Sequence, residues 1–255
     1  MLNVTDISIT RGYKQIIEQV SFALPSGTVM GVLGTNGAGK STLLAGISGE
    51  ISTRTGKVVL NERLLNEWPA IERAKQMAVL PQSAQLNFAF TVSEVVAFGR
   101  LPHKTGAQKD REIIETVLAL TDIQYLAHRN YLELSGGERQ RVHLSRILAQ
   151  LWPITDQSVL LLDEPTSMLD PLHQHTLLKI VRQCANEGAA VLIILHDLNL
   201  AARYCDRILL LDDGKVYVDD VPCHALTTLS IEHIFGLPVS INHHPTLGCP
   251  LIIPD

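Results

Sequence analysis

Gly34-Thr35-Asn36-Gly37-Ala38-Gly39-Lys40-Ser41-Thr42 decides the fold because of what flanks it. Thr28 to Leu33 before it reads as a short buried strand, and Ser41 to Ser48 after it has helical character. The stretch fits GxxxxGK[ST] in the order that a genuine phosphate-binding loop requires: strand, glycine-rich loop, helix. Gly34, Gly37 and Gly39 let backbone N–H groups, including those at Asn36 and Thr42, converge on phosphate oxygens at a helix N-terminus whose dipole favours anions. Lys40 is expected to reach the β- and γ-phosphates, and the Ser41 hydroxyl to ligate Mg²⁺.

Outward from this loop, strands and helices alternate. Met1 to Ile9 and Val20 to Leu24 read as strands around a turn at Arg11-Gly12, and Lys57 to Asn61 and Gln76 to Leu80 as further strands. From Thr91 to Ala149 the pattern turns helical: Thr91-Val92-Ser93-Glu94 resembles a capping box, Ala107 to Leu120 is amphipathic, and Glu138 to Gln150 carries a charged face. The α/β pattern resumes with strand Val159 to Leu162, helix Pro171 to Glu187, strand Ala190 to Leu195 and helix Asn199 to Cys205. A hairpin from Arg207 to Asp219, turning at Asp213-Gly214, follows. The alternation predicts an α/β fold with a largely parallel sheet covered on both faces, interrupted by an inserted helical subdomain.

Composition narrows the partners. A net charge of -5 and a pI near 6.0 argue against a nucleic-acid coat or a polybasic membrane anchor. The apolar runs are far shorter than the roughly 18–20 residues that span a bilayer, and Met1 to Thr10 lacks a signal peptide's pattern. A soluble, cytosolic chain is expected. Cys184, Cys205, Cys223 and Cys249 show no CxxC spacing and read as reduced thiols. The histidines show no HxxxH or HExxH spacing, so no structural metal is assigned, and His243-His244 reads as an exposed loop pair.

Two further segments carry chemistry. Val159 to Leu162 is an apolar strand that delivers Asp163 and Glu164 at its C-terminal end, Asp163 to partner Mg²⁺ and Glu164 to polarise an attacking water. Leu134-Ser135-Gly136-Gly137-Glu138-Arg139-Gln140 places Ser135, Gly136 and Gly137 at a helix start, with N–H groups suited to phosphate.

From end to end, with these motifs in this order, the chain resembles the ATP-binding-cassette (ABC) transporter ATPases. The resemblance implies a P-loop NTPase (RecA-like) core over approximately residues 1–82 and 159–255, with an N-terminal antiparallel β subdomain, and a helical subdomain over 83–158 bearing the LSGGE signature. It implies ATP as the nucleotide with Mg²⁺. Gln82 is implied to sense Mg²⁺ and couple to a membrane subunit, and His196 to contact the γ-phosphate. Asp170 ends the Ser167-Met168-Leu169-Asp170 loop, and Tyr13 is implied to stack on adenine. Ser135, Gly136 and Gly137 are implied to face the nucleotide of a second copy, so that two ATP molecules are sandwiched in a homodimer.

Phe90 to Val96, Gly99-Arg100-Leu101-Pro102-His103, Asp170 to Gln174 and His196 to Ala202 resemble the iron-chelate, haem and vitamin B12 import group. Leu151 to Ser158, a long link containing Trp152-Pro153, is similar to that of hemin-import ATPases. The resemblance therefore implies haem (hemin) as cargo, with ferric siderophore or vitamin B12 as alternatives and a non-transport cassette ATPase behind them. Implied partners are an integral membrane permease dimer and, indirectly, a periplasmic haem-binding protein, with no nucleic acid. The implied location is peripheral, on the cytoplasmic face of the inner membrane.

Overall fold

The structure is a computed structural model that describes residues 1–83 and 86–255. The chain opens with a hairpin, β1 (Leu2–Arg11) and β2 (Lys14–Leu24). Its turn is Gly12-Tyr13, one residue later than the composition of the segment suggests, and β2 begins at Lys14 rather than Val20. Gly12, at φ 59°, supplies the left-handed backbone that so short a turn needs. β3 (Val29–Leu33) runs into the glycine-rich loop and α1 (Lys40–Ser48). There follow β4 (Thr55–Leu60), β5 (Arg63–Leu64), α2 (Ala70–Gln76) and β6 (Met77–Leu80), of which α2 carried no clear periodicity.

The helical block comprises α3 (Val92–Ala97), α4 (Ala107–Leu120) and α5 (Gly136–Leu151). Next come β7 (Val159–Asp163), α6 (Pro171–Asn186), β8 (Ala190–Ile194), α7 (Leu198–Tyr204) and the hairpin β9 (Arg207–Asp212) and β10 (Lys215–Asp220). Beyond the last element expected from sequence, the chain adds α8 (Pro222–Ala225), α9 (Thr228–Phe235) and a second hairpin, β11 (Val239–His243) and β12 (Pro250–Pro254). His243 thus ends a strand instead of lying in a loop, while His244 opens the turn and its Nδ1 accepts the N–H of Thr246 and of Leu247.

The central sheet has six strands in the order β10-β9-β3-β8-β7-β6, parallel except for β10. A four-stranded antiparallel sheet, β2-β1-β4-β5, packs beside it. Successive residues of a strand face opposite sides, so β7 sends Val159 and Leu161 to one core and Leu160 and Leu162 to another. The first core also holds Ile7, Ile17, Leu43 and Ile47, from the antiparallel sheet and α1. The second holds Val117, Val142, Ile147 and Leu177, from the helices. Burial on both faces is why β3, β7 and β8 are apolar at nearly every position. Among the described residues no helix is long and apolar enough to cross a membrane.

The segment Gly99-Arg100 closes the far end of α5. Arg100 is 5% exposed; it donates to the carbonyls of Ala149 (2.6 Å) and Trp152 (3.3 Å) and pairs with Asp110 (2.8 Å). These carbonyls are among those a helix C-terminus leaves without an internal partner. Gly99 is obligatory because a Cβ there would collide with the Arg146 carbonyl.

Candidate functional site

The sheet order brings the site together. β6, β7 and β8 are neighbours, and Gln82, Glu164 and His196 each follow the C-terminal end of one of them, where ligands of open α/β sheets bind. Gln82 Nε2 donates to Glu164 Oε2 (2.8 Å), and His196 Nε2 lies 2.6 Å from Glu164 Oε1. Both carboxylate oxygens are therefore engaged. Glu164 itself has φ 48°, left-handed for a non-glycine residue, and its carbonyl accepts both the N–H (3.2 Å) and the hydroxyl (3.0 Å) of Ser167.

The glycine-rich loop lies alongside. Gly39 caps α1 in a left-handed conformation, and a Cβ there would come within 2.7 Å of Ile17 Cδ1. Lys40 is 6% exposed, and its ammonium donates to the carbonyls of Gly34 (2.8 Å) and Thr35 (2.9 Å). Burial lowers its pKa, while Glu164 and Asp163 pull the other way. Asp163, 5% exposed, has its pKa raised chiefly by burial, against a hydrogen bond with Ser41. Its Oδ1 is buried with no hydrogen-bond partner. A desolvated carboxylate with one oxygen spare beside a serine hydroxyl is the donor set a hard divalent cation takes.

A hollow of about 350 Å³ opens over the loop, lined by Asn36, Gly37, Gly39, Lys40, Ser41, Thr42, Gln82 and Glu164, with Arg11 and Ile16 from the first hairpin. Tyr13 stands on the same hairpin, fully exposed, and is not in that lining. Arg11 and Ile16 were not singled out from sequence, and nothing in their spacing marks them. A larger hollow of about 910 Å³ lies between α3 and α4 and holds none of these groups.

Ser135 caps α5 through a complete capping box: its hydroxyl accepts the Glu138 N–H (3.3 Å), and its own N–H donates to the Glu138 carboxylate (2.8 Å). Ser135 and Gly136 are exposed, and neither they nor Gly137 line the hollow over this chain's phosphate loop. Gly136 and Gly137 pack against Met168 and Leu169; a Cβ on Gly136 would sit 3.1 Å from Met168 Sδ. Asp170 caps α6, accepting the His173 N–H (3.0 Å), with His173 Nδ1 at 2.7 Å. The chain thus gathers Lys40, Ser41, Gln82, Asp163, Glu164 and His196 in one place and leaves Ser135, Gly136 and Gly137 outside the hollow.

The family model for the ABC transporter matches residues 17–167, which include the phosphate loop, the helix-capping signature and the Asp163-Glu164 strand end. The chain belongs to the ABC transporter family. As an ATP-binding cassette it is an ATPase that binds ATP. Among its relatives, the hemin import ATP-binding protein HmuV of Pseudomonas entomophila is 55% identical over 253 residues, 99% of each chain. The HmuV proteins of Pseudomonas aeruginosa, at 54% over 99% of each chain, and of Gloeobacter violaceus, at 49% over 100% of this chain and 94% of that one, are similar. In structure, this cassette resembles a metal-chelate type ABC transporter in an inward-facing conformation, with a TM-score of 0.82 and 26% identity, covering 100% of this chain and 96% of that one.

Proposed function

We propose that this cassette is the ATP-hydrolysing subunit of a hemin importer. It acts as one of two identical copies on the cytoplasmic face of the inner membrane, beneath a separate permease dimer, with a periplasmic haem-binding protein serving the far side. The likeness along the whole chain to hemin import ATP-binding proteins, 55% identical to one of them, carries the choice of cargo. Both the residues and that likeness support ATP hydrolysis coupled to transport.

In this reading the N–H groups of the Gly34–Thr42 loop, with Asn36, Gly37 and Gly39 open to the hollow, hold the phosphates. Lys40 exchanges the carbonyls of Gly34 and Thr35 for β- and γ-oxygens. Ser41 and Asp163, with Gln82, would hold Mg²⁺, whose chemistry is to neutralise charge on the phosphate oxygens; the spare Oδ1 of Asp163 supports the assignment. Glu164 orients the attacking water and accepts its proton, and His196 contacts the γ-phosphate. Each Glu164 oxygen meets one neighbour, Gln82 at Oε2 and His196 at Oε1, and keeps a further lone pair with which to accept from the attacking water. Ser135, Gly136, Gly137 and Asp170 serve the nucleotide at the interface with the second copy, and Tyr13 stacks on adenine.

The test is ATPase activity of the cassette reconstituted with its permease and binding protein in lipid. Hemin-loaded binding protein is expected to stimulate turnover severalfold, and ferric siderophore or vitamin B12 to leave it at the basal rate. Stimulation by either of those and none by hemin overturns the cargo assignment.

A further inference from the structure

Asn199 lies three residues beyond His196 in the first turn of α7, and its side-chain amide is turned away from that helix. Nδ2 donates to the carbonyl of Ile252 (3.0 Å), and the Ile252 N–H donates to Asn199 Oδ1 (2.8 Å). The N–H and C=O of one antiparallel residue point to the same side of a strand, so Ile252, paired in register with Ile241, presents both to α7. Asn199 stands in for a neighbouring strand at that residue. A primary amide suits this, since it carries a donor and an acceptor side by side as a peptide does.

Two further observations tie the clasp to His196. Asp197 caps α7, accepting the N–H groups of Asn199 (2.8 Å) and Leu200 (2.9 Å), so the loop from His196 to Asn199 is short and braced. A hollow of about 370 Å³ also has His196 and Leu198 on one side and Phe235, Leu237, Ile252 and Pro254 on the other, so the C-terminal segment forms a wall beside the imidazole. The His196 side chain is 46% exposed and meets Glu164, so its position depends heavily on where its backbone is held.

We infer that Asn199 is a positioning residue for hydrolysis: by clasping Ile252 it fixes the loop that carries His196, and it makes the C-terminal hairpin part of the support of the nucleotide site. The inference rests on the role proposed for His196. Misplacement of a reacting group by about 1 Å can cost as much as about 100-fold in rate, which sets the scale of the effect. Nucleotide binding relies on the glycine-rich loop, which the clasp does not touch.

The test uses the full chain with Mg-ATP and reads kcat, KM and Tm for Asn199→Ala, Ile252→Pro, their double variant and His196→Ala. Ile252→Pro removes the donated N–H from the other side of the clasp. Each clasp variant is expected to lower kcat by about 10-fold or more with KM for ATP within about twofold, and the double to be no slower than the slower single, as for two halves of one interaction. Asn199→Asp keeps volume and the acceptor but sets a carboxylate oxygen against the Ile252 carbonyl where the donor stood, so its kcat should fall at least as far as that of Asn199→Ala. A wild-type kcat in Asn199→Ala, whatever its Tm, overturns the inference, as do losses that multiply in the double variant. If His196→Ala turns over normally, the reading of His196 falls and the inference with it; an inactive His196→Ala beside a normal Asn199→Ala defeats the inference alone.

Discussion

Asp163 and Glu164 adjoin in sequence yet are held by opposite means. Glu164 sits at φ 48°, a conformation costing a non-glycine residue ~1 kcal/mol or more, and the Ser167 N–H and hydroxyl on its carbonyl help hold it there. Asp163 is desolvated, with Oδ1 unpartnered. For an acid whose folded pKa is raised, the folded state is penalised as pH rises through that value, so at neutral pH the charge destabilises the empty protein. Asp163→Asn is therefore expected to raise Tm of the chain without nucleotide and to abolish the Tm gain from Mg-ATP over ATP alone. Calorimetry checks both; an unchanged Mg²⁺ response would remove Asp163 from the metal site. Both carboxylates were legible as the end of an apolar strand. The lining by Arg11 and Ile16 was not, because a two-residue turn puts side chains against a loop more than twenty positions away.

Among the elements, the capped helices show how local chemistry sets boundaries. Thr91 and Ser135 each complete a capping box, with Glu94 and Glu138, and Asp170 caps α6. The carboxyls of Glu94, held by the Thr91 N–H, Glu138, held first by the Ser135 hydroxyl, and Asp170, held by the His173 N–H, all lie below the usual range. A depressed folded pKa gives stability that is present above the unfolded value, about 4, and is lost as pH falls through the folded one. Melts from pH 6 to pH 3 should show Tm falling across that window and a shallower fall for Glu138→Gln; equal slopes would mean that the box contributes nothing. At the other end of α5, Arg100→Ala strips partners from the carbonyls of Ala149 and Trp152 and from Asp110. A cost of about 3 kcal/mol is expected, as for a buried pair broken from one side, and denaturant unfolding would measure it. Thr91 was readable as a cap from its three-residue spacing to Glu94, whereas Ser135 was read as a phosphate-facing helix start and its capping box emerges in the structure; Arg100 was visible within a motif, but its task depends on a helix end 49 residues away.

At the scale of the whole molecule, the hollow over the phosphate loop is not lined by Ser135, Gly136 or Gly137, while Ser135 and Gly136 are open to solvent. In the function proposed above, this helix start offers its N–H groups to an anion held by the second copy. Glu164→Gln, which retains the shape of the site and loses the base, is expected to lower turnover by at least about 100-fold and to elute as a dimer in Mg-ATP but a monomer without nucleotide. Ser135→Arg should bind ATP normally at its own Lys40 and neither hydrolyse nor dimerise. Loss of ATP binding by the isolated Ser135→Arg chain would defeat the shared-site reading.

Sequence by itself determined the parts whose chemistry is local: the glycine-rich loop between strand and helix, the carboxylates ending an apolar strand, the capping box at Thr91, and the α/β alternation that requires a sheet buried on both faces. Tertiary structure alone decided what depends on long-range pairing. The order β6-β7-β8 is what brings Gln82, Glu164 and His196 within hydrogen-bond reach. The C-terminal hairpin, made of two short strands bounded by prolines, has too little periodicity to declare itself. Its strand β12 acquires its place through Asn199, where an edge N–H and C=O find a partner that only the folded chain provides.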